Sequence, residues 1–343
     1  MANAGEGVGA GRARPVIGLL LGDPTGIGPE ISARVVAENR LPAEADVVLI
    51  GDRRQLERGA RDAGTEPAIR VVESVAEAGF GAPGTPMIDL RNMDPDALPR
   101  GEVSAEAGRL TGETLAHAVR LAQSGALDAI TFAPLNKKAL HSGGWRYLDE
   151  HKMFADLLGH RGYFSEMNVV DGQWMFRVTS HVSLRKALDL ITPESIRDAV
   201  RLADATMKRA GLARPRIAVC ALNPHAGEGG LFGTEEIDFI APTVRQLAAE
   251  GFGCSGPFPA DTIYLRAFAG EFDGVVAMYH DQGQIATKLK GLGRGVTVTA
   301  GLEAVFTTPA HGTAFDIVGR GRADAGALER ALALAARLAA ARG

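Results

Sequence analysis

Residues 16–30 read VIGLLLGDPTGIGPE. The run 16–21 has the length and apolar content of a fully buried strand. Gly22 ends it, and a glycine-rich turn leads to Pro29, which suits the first turn of a helix because its missing N–H would have no partner there. The helix is expected to reach Asn39. A buried strand, a glycine turn and a helix form the repeating unit of an α/β protein, and the rest of the chain repeats it. Residues 45–50, 129–132, 174–179, 216–222 and 272–279 read as further short buried strands. Residues 53–63, 104–126, 193–210, 235–250 and 323–341 read as helices. Strands alternating with helices of this length predict mainly parallel sheets faced by helices.

The chain has 343 residues, which at roughly 150 residues per domain suggests about two domains. No linker, repeat or low-complexity block divides it, so a second domain is expected to arise as a mid-chain excursion. With 37 Lys and Arg against 41 Asp and Glu, the net charge is −4, which argues against a polyanion-binding surface as the main function, so no nucleic-acid partner is expected. A hydrophobic share of 46% with 23% charged residues excludes a disordered or fibrous chain. Two cysteines, Cys220 and Cys254, are too few for a disulfide framework or a four-thiolate zinc site and fit a reducing cytoplasm. Residues 1–14, MANAGEGVGAGRAR, read as a disordered tail. The apolar run after them is too short for a secretory signal or a membrane span, and no other segment approaches one.

Three of the eight histidines share one context. His181, His225 and His280 each follow an apolar run that reads as a strand. In an open parallel sheet the carboxyl ends of strands form the ligand-binding edge. Three imidazoles delivered there would suit zinc, cobalt or nickel and leave positions open for substrate. A lone histidine at a strand end is more often a hydrogen-bonding turn residue, and this spacing is not a compact metal motif. The loops after them add weight. His225 opens His225-Ala226-Gly227-Glu228-Gly229-Gly230, whose glycines allow close approach of backbone to a ligand. Asp281, next to His280, would either orient an imidazole or cap the following helix.

The turn Gly22-Asp23-Pro24-Thr25-Gly26-Ile27-Gly28 has a generic anion-binding geometry but neither the Gly-x-Gly-x-x-Gly spacing nor the Lys-Ser/Thr pair of a nucleotide loop, so taken alone it also reads as a tight turn. Near the other end stands His311-Gly312-Thr313-Ala314-Phe315-Asp316-Ile317-Val318-Gly319-Arg320-Gly321. It resembles the adenine-binding loop of the isocitrate and isopropylmalate dehydrogenase superfamily, and the first turn resembles that superfamily's glycine turn. Longer stretches resemble the 4-hydroxythreonine-4-phosphate dehydrogenase family of pyridoxal phosphate synthesis. They are Leu222-Asn223-Pro224-His225-Ala226-Gly227-Glu228-Gly229-Gly230, Gly233-Thr234-Glu235-Glu236, Pro259-Ala260-Asp261-Thr262, Met278-Tyr279-His280-Asp281-Gln282-Gly283 and Gly293-Arg294-Gly295-Val296.

The resemblance implies two α/β/α domains around a cleft. Residues 15–140 with 300–343 would form a cofactor side, and 141–299 a dimerisation, metal and substrate domain. It implies a homodimer whose metal sites each take two histidines from one subunit and one from the other. By position, His181 and His225 would be the pair and His280 the ligand lent across the interface. It implies oxidation of a secondary alcohol in a hydroxy acid by NAD or NADP, followed by decarboxylation. The metal would be zinc first, with cobalt, nickel, manganese or magnesium as alternatives. Cofactor contacts would fall on Gly22, Asp23, His311, Gly312, Thr313, Ala314 and Asp316. Lys288 would be a catalytic, substrate-contacting lysine, although its bare context reads as a solvated surface residue. Asp261 would accept a proton or pair with a substrate amine.

The chain departs from that pattern in the substrate pocket. Glu150 and His151 fall where the family carries His and Thr, Thr297 replaces an asparagine, and Phe306 replaces an arginine that helps hold phosphate. Trading a bidentate cation for a carboxylate and a phenyl ring is a large change. It predicts a less charged or ring-shaped substrate, such as a carboxylated cis-dihydrodiol like that of terephthalate. Alternatively a four-carbon sugar acid phosphate is held by Lys152, Lys288 or Arg294. A three-histidine metal hydrolase is a competing class, but it would not need the loop at 311–321. A binding relative that has lost catalysis is a third.

Overall fold

The computed structural model describes residues 14–291 and 293–341. Of the tail expected at 1–14, all but Arg14 lies outside them, and Arg14 donates to the Ala45 carbonyl at 2.8 Å. The strands are β1 (Val16–Leu20), β2 (Asp46–Gly51), β3 (Ile69–Val72), β4 (Thr85–Asp89), β5 (Ala129–Phe132), β6 (Ser165–Val170), β7 (Gln173–Arg177), β8 (Ile217–Cys220), β9 (Cys254–Phe258), β10 (Gly274–Ala277), β11 (Val296–Ala300) and β12 (Val305–Pro309). The helices are α1 (Gly28–Ala37), α2 (Arg53–Ala63), α3 (Ala105–Gln123), α4 (Lys137–Ser142), α5 (Glu150–Leu157), α6 (Leu184–Leu190), α7 (Pro193–Arg209), α8 (Ala241–Ala249), α9 (Ala260–Phe268), α10 (His280–Gly291) and α11 (Gly326–Ala340).

The strands join in one sheet in the order β3-β4-β2-β1-β5-β12-β11-β6-β7-β10-β8-β9. The six from β3 to β12 pair in parallel, as do the four from β7 to β9. Between these blocks lies an antiparallel seam, in which β11 opposes both β12 and β6, and β6 opposes β7. The fold is therefore α/β and mainly parallel, as the alternation predicts, and the seam is what alternation alone does not foresee. Its β6–β7 hairpin turns on Asp171 and Gly172, both at positive φ (50° and 82°), the mirror-image turn that matches strand twist.

Local sequence explains the layers. All five residues of β1 are buried, as in a central parallel strand covered on both faces. Ser104 caps α3 by accepting from the Ala107 N–H, which satisfies one orphan donor of the first turn. Gly59 is glycine because α2 crosses α1 closely, and a Cβ there would lie 2.2 Å from the Pro29 carbonyl.

On one face of the sheet a single core runs through both blocks, from Ile17 and Leu49 to Val169 and Val276, beneath α1, α7, α8 and α11. The other face is covered in two separate pieces. Around α3 and α5, Leu115, Val119 and Phe154 pack with Phe132 and Phe306. Around α9, Ile263 and Ala267 pack with Ala218 and Val275. Between these two pieces α10 packs against β6 and β7 at the seam, and an open cleft lined from α5 and α10 lies there.

Candidate active site

The cleft has a volume of about 280 Å³ and takes lining residues from both blocks. Strand alternation builds its floor. Register places Thr297 opposite Asn168 and Thr308, and Thr299 opposite Glu166, so these polar residues share one sheet face. Asn168 Nδ2 donates to Thr297 Oγ1 at 2.9 Å. The buried Arg177 donates through Nη2 to Glu166 Oε1 at 2.9 Å and to Asn168 Oδ1 at 2.8 Å. Burial pushes the Arg177 guanidinium down, against the pull of Glu166. Burial would raise the Glu166 carboxyl, but His151 and Arg177 outweigh it and hold the group well below the usual carboxylate range. Removing either partner would leave a buried charge uncompensated, which is costly.

The N-terminal turn of α5 forms one wall. Asp149 caps the helix by accepting from the Lys152 N–H at 2.9 Å. Its second oxygen accepts from His181 Nδ1 at 2.8 Å. Burial raises the Asp149 carboxyl, but His181 and the Lys152 N–H lower it more, to about 2. Glu150 and His151 follow, both buried and both lining the cleft. His151 Nδ1 is hydrogen-bonded to Thr299 Oγ1, and its Nε2 is 3.2 Å from Glu166 Oε2. Burial disfavours the His151 imidazolium, yet Glu166, Glu150 and Asp149 overcome this, so its pKa is raised.

His181 follows β7 in a left-handed conformation (φ 53°), and His280 opens α10 after β10. Because β7 and β10 are parallel neighbours, both imidazoles reach the cleft, with ring centroids 5.8 Å apart. Each Nδ1 meets a carboxylate, Asp149 for His181 and Asp281 for His280 (2.7 Å). His181 Nε2 stands 3.7 Å from Glu166 Oε2, beyond hydrogen-bond distance, and a carboxylate on Nδ1 is the arrangement that fixes the tautomer of a metal-binding imidazole. His225 is elsewhere. It sits outside the cleft in a left-handed turn of five residues, His225 to Gly229, with its ring 6.1 Å from Phe232. Among the described residues no three His, Cys, Asp or Glu side chains are grouped to hold a metal. Order along the chain pairs His181 with His225; in this chain it is the His280 ring that lies beside His181, and His225 lies in its separate turn.

Other expected residues separate in the same way. Lys288, Thr297, His311 and Gly312 line the cleft. Thr313 is buried and structural, since its carbonyl accepts from the Ile27 N–H at 3.1 Å and ties the two glycine loops together. Ala314, at φ 45°, and the exposed Asp316 lie beyond the lining. Gly22 and Asp23, expected at the cofactor, are buried under the end of β5. A Cβ on Gly22 would lie 2.6 Å from the Ala133 carbonyl oxygen. Asp23 accepts from the Thr25 N–H and hydroxyl, and burial raises its carboxyl pKa. Asp261 is exposed on the first turn of α9, outside the cleft. Phe306 is completely buried under α5 and does not line the cleft. The cleft residues Glu166, Asn168, Gln284 and Lys137, and Arg177 buried behind them, escape sequence reasoning. The Asp171-Gly172 turn is the signal that would have revealed β6 and its alternating polar positions.

A mainly parallel α/β sheet whose cleft gathers imidazoles, lysines and a glycine loop from two blocks has the build of an α/β enzyme with its site over the seam. The chain belongs to the family of the pyridoxal phosphate biosynthetic protein PdxA, whose family model matches residues 43–335. It is 49% identical over 327 residues to a protein of Pseudomonas aeruginosa provisionally named 4-hydroxythreonine-4-phosphate dehydrogenase 2, covering 94% of this chain and 97% of that one. It is 43% identical over 326 residues to the D-threonate 4-phosphate dehydrogenase of Cupriavidus necator, covering 95% and 97%. The crystal structure of a 4-hydroxythreonine-4-phosphate dehydrogenase from Burkholderia phymatum superposes with a TM-score of 0.79 at 43% identity, covering 95% of this chain and 99% of that one.

Proposed function

We propose that this chain is an NAD(P)-dependent, divalent-metal-dependent dehydrogenase that oxidises the secondary alcohol of a phosphorylated four-carbon hydroxy acid, with loss of carbon dioxide, and that it works as a homodimer. The observation that carries this reading is the His181–His280 pair in the cleft, each imidazole tied through Nδ1 to a carboxylate, with His181 Nε2 3.7 Å from Glu166 Oε2. The donor set suits zinc first, then cobalt or nickel, with manganese or magnesium less natural. His181 and His280 would hold the ion with the partner subunit's His225. When bound, the ion supplies positive charge that acidifies the substrate hydroxyl and steadies the charge left when carbon dioxide departs.

The chain's own residues do the rest. Asp149 and Asp281 fix the tautomer and aim of the two imidazoles. Asn168 accepts from Arg177, which holds Glu166, and Glu166 in turn steadies His151. Lys288 binds an anionic end of the substrate and is the cleft's candidate for moving a proton. His311 and Gly312 offer the edge along which the dinucleotide would lie, with the cofactor on the block formed by residues 15–140 and 300–343. Asp261, outside this chain's cleft, would contribute only from a second copy. Exposed apolar side chains support such a copy: Val182, Leu184 and Leu188 follow His181, while Leu231, Phe232 and Ile237 follow His225. The two cysteines are free and buried, and no helix among the described residues is long and apolar enough to cross a membrane. Both are in keeping with a cytoplasmic setting.

The test is nicotinamide reduction by the purified protein with D-threonate 4-phosphate or 4-hydroxythreonine 4-phosphate, each with zinc, cobalt, nickel, manganese or magnesium. Metal-dependent reduction of NAD or NADP is expected. No reduction of either nucleotide in any combination overturns the reading.

A further inference from the structure

In the cleft wall, Glu150 has its charge met but its hydrogen bonding unmet. Its side chain is only 9% exposed and lines the cleft. Lys137 Nζ stands 3.6 Å from Glu150 Oε2, close enough for an ion pair but too far for a hydrogen bond. Oε2 has no hydrogen-bond partner. The neighbouring carboxylates differ: Glu166 accepts from Arg177, and Asp149 accepts from His181 and the Lys152 N–H. Of these three, Glu150 is the one that offers a buried oxygen to whatever enters.

A buried acceptor without a donor is costly, and a ligand that brings a donor removes the cost. The donor can be neutral or cationic, and the local charge decides between them. Lys137 stands against Glu150 Oε2 and His151 Nε2 is 3.7 Å from Glu150 Oε1, while the buried Arg177 guanidinium is taken up by Glu166. A ligand ammonium would add a further positive charge beside Lys137, whereas a hydroxyl would supply the missing hydrogen bond alone.

We propose that Glu150 reads a hydroxyl of the substrate and, with Lys137 beside it, disfavours an ammonium at the same place. The substrate is then a polyhydroxy acid phosphate and not an amino acid phosphate. The inference rests on the cleft being the substrate site of a dehydrogenase. The substrates in the relatives' names pose the choice directly: D-threonate 4-phosphate carries a hydroxyl on carbon 2, and 4-hydroxythreonine 4-phosphate carries an ammonium there. Sites built to hydrogen-bond a substrate hydroxyl discriminate strongly.

The experiment measures both compounds on the wild-type protein, by kcat/KM and by calorimetric titration without nucleotide. Wild type is expected to favour the hydroxy acid by at least about tenfold. In Glu150→Ala that preference should collapse toward parity, chiefly through loss of the hydroxy acid. In Lys137→Gln, at a half-exposed position, the unmet charge of Glu150 should move the preference about tenfold or more toward the amino acid. Any role of Lys137 in holding phosphate would affect both compounds alike and cancel in the ratio. A wild-type preference for the amino acid, or a ratio unmoved by both substitutions, overturns the proposal. Preferential binding of the hydroxy acid without turnover supports Glu150 while overturning the dehydrogenase reading. Binding of neither compound overturns both.

Discussion

Phe306 stacks on Phe154, with ring centroids 4.1 Å apart and planes within 7° of parallel. Phe132 meets Phe154 edge-on at 5.5 Å, so the three rings pin α5 to β5 and β12. The ring that sequence comparison puts in the substrate pocket is instead what holds the pocket wall against the sheet. Phe306→Arg should therefore not improve binding of phosphorylated acids. It should cost about 4 kcal/mol or more, because truncating a buried phenylalanine alone costs about 3–5 kcal/mol and the new charge would be unpaired. Denaturant unfolding of the variant checks this, and an unchanged midpoint would place Phe306 at the surface.

The His181–His280 pairing changes what subunit mixing should do. His181→Ala, His225→Ala and His280→Ala homodimers should each lose divalent-metal binding and turnover. Mixing His181→Ala with His225→Ala subunits should restore one complete site per hybrid dimer, or about a quarter of wild-type activity after random exchange. Mixing His181→Ala with His280→Ala should restore none. Recovery in the second mixture and not in the first would reverse the assignment. The readout is metal content together with nicotinamide reduction.

Asp52 is nearly fully buried between β2 and α2. It accepts from the Arg54 N–H and side chain and from the Met93 N–H. Burial would raise its carboxyl pKa, but Arg54 and Met93 more than offset this, so the folded value is depressed. A depressed value means stability that is present above the unfolded carboxylate pKa and is lost as pH falls through the folded one. Asp52→Ala should cost about 1–2 kcal/mol near neutrality through loss of the cap and the Met93 tie. The gap from wild type should narrow as the pH falls below 3.8. Urea unfolding at several pH values measures it, and a gap that widens in acid would contradict the sign.

Burial pushes the Cys220 thiol up to about 12 and the Cys254 thiol up to about 11. Neither should react with a thiol reagent near neutral pH while the protein is folded, since the thiolate is the nucleophile. Both should react on unfolding. Prompt labelling of the native protein would show an opening that exposes β8 or β9.

Where apolar periodicity is the whole signal, the sequence is readable. Strands β1, β5, β8 and β10 fall within predicted runs, and β2 and β7 overrun theirs by one residue, at Gly51 and Gln173; helices α1, α2, α3, α7 and α11 overlap the stretches that read as helices. Strands β6, β11 and β12 escape because one face is polar: SEMNVV, VTVTA and VFTTP look like loop composition until Arg177, Asn168 and the threonines are seen to satisfy one another across strands. The cleft follows the same division. Strand-end context singles out His181 and His280, which meet, and His225, which does not, because order along the chain carries no information about which strands are neighbours. The strand order puts β7 beside β10 and leaves β8 on the far side.

The antiparallel seam also constrains movement. Because hydrogen bonds run unbroken from β3 to β9, the two walls of the cleft are not joined by slack rope. Bringing them together requires the woven panel under the site to flex or shear, strand against strand. Such a panel permits small excursions and resists gaping, so the reacting groups would keep their spacing through each cycle of entry and exit.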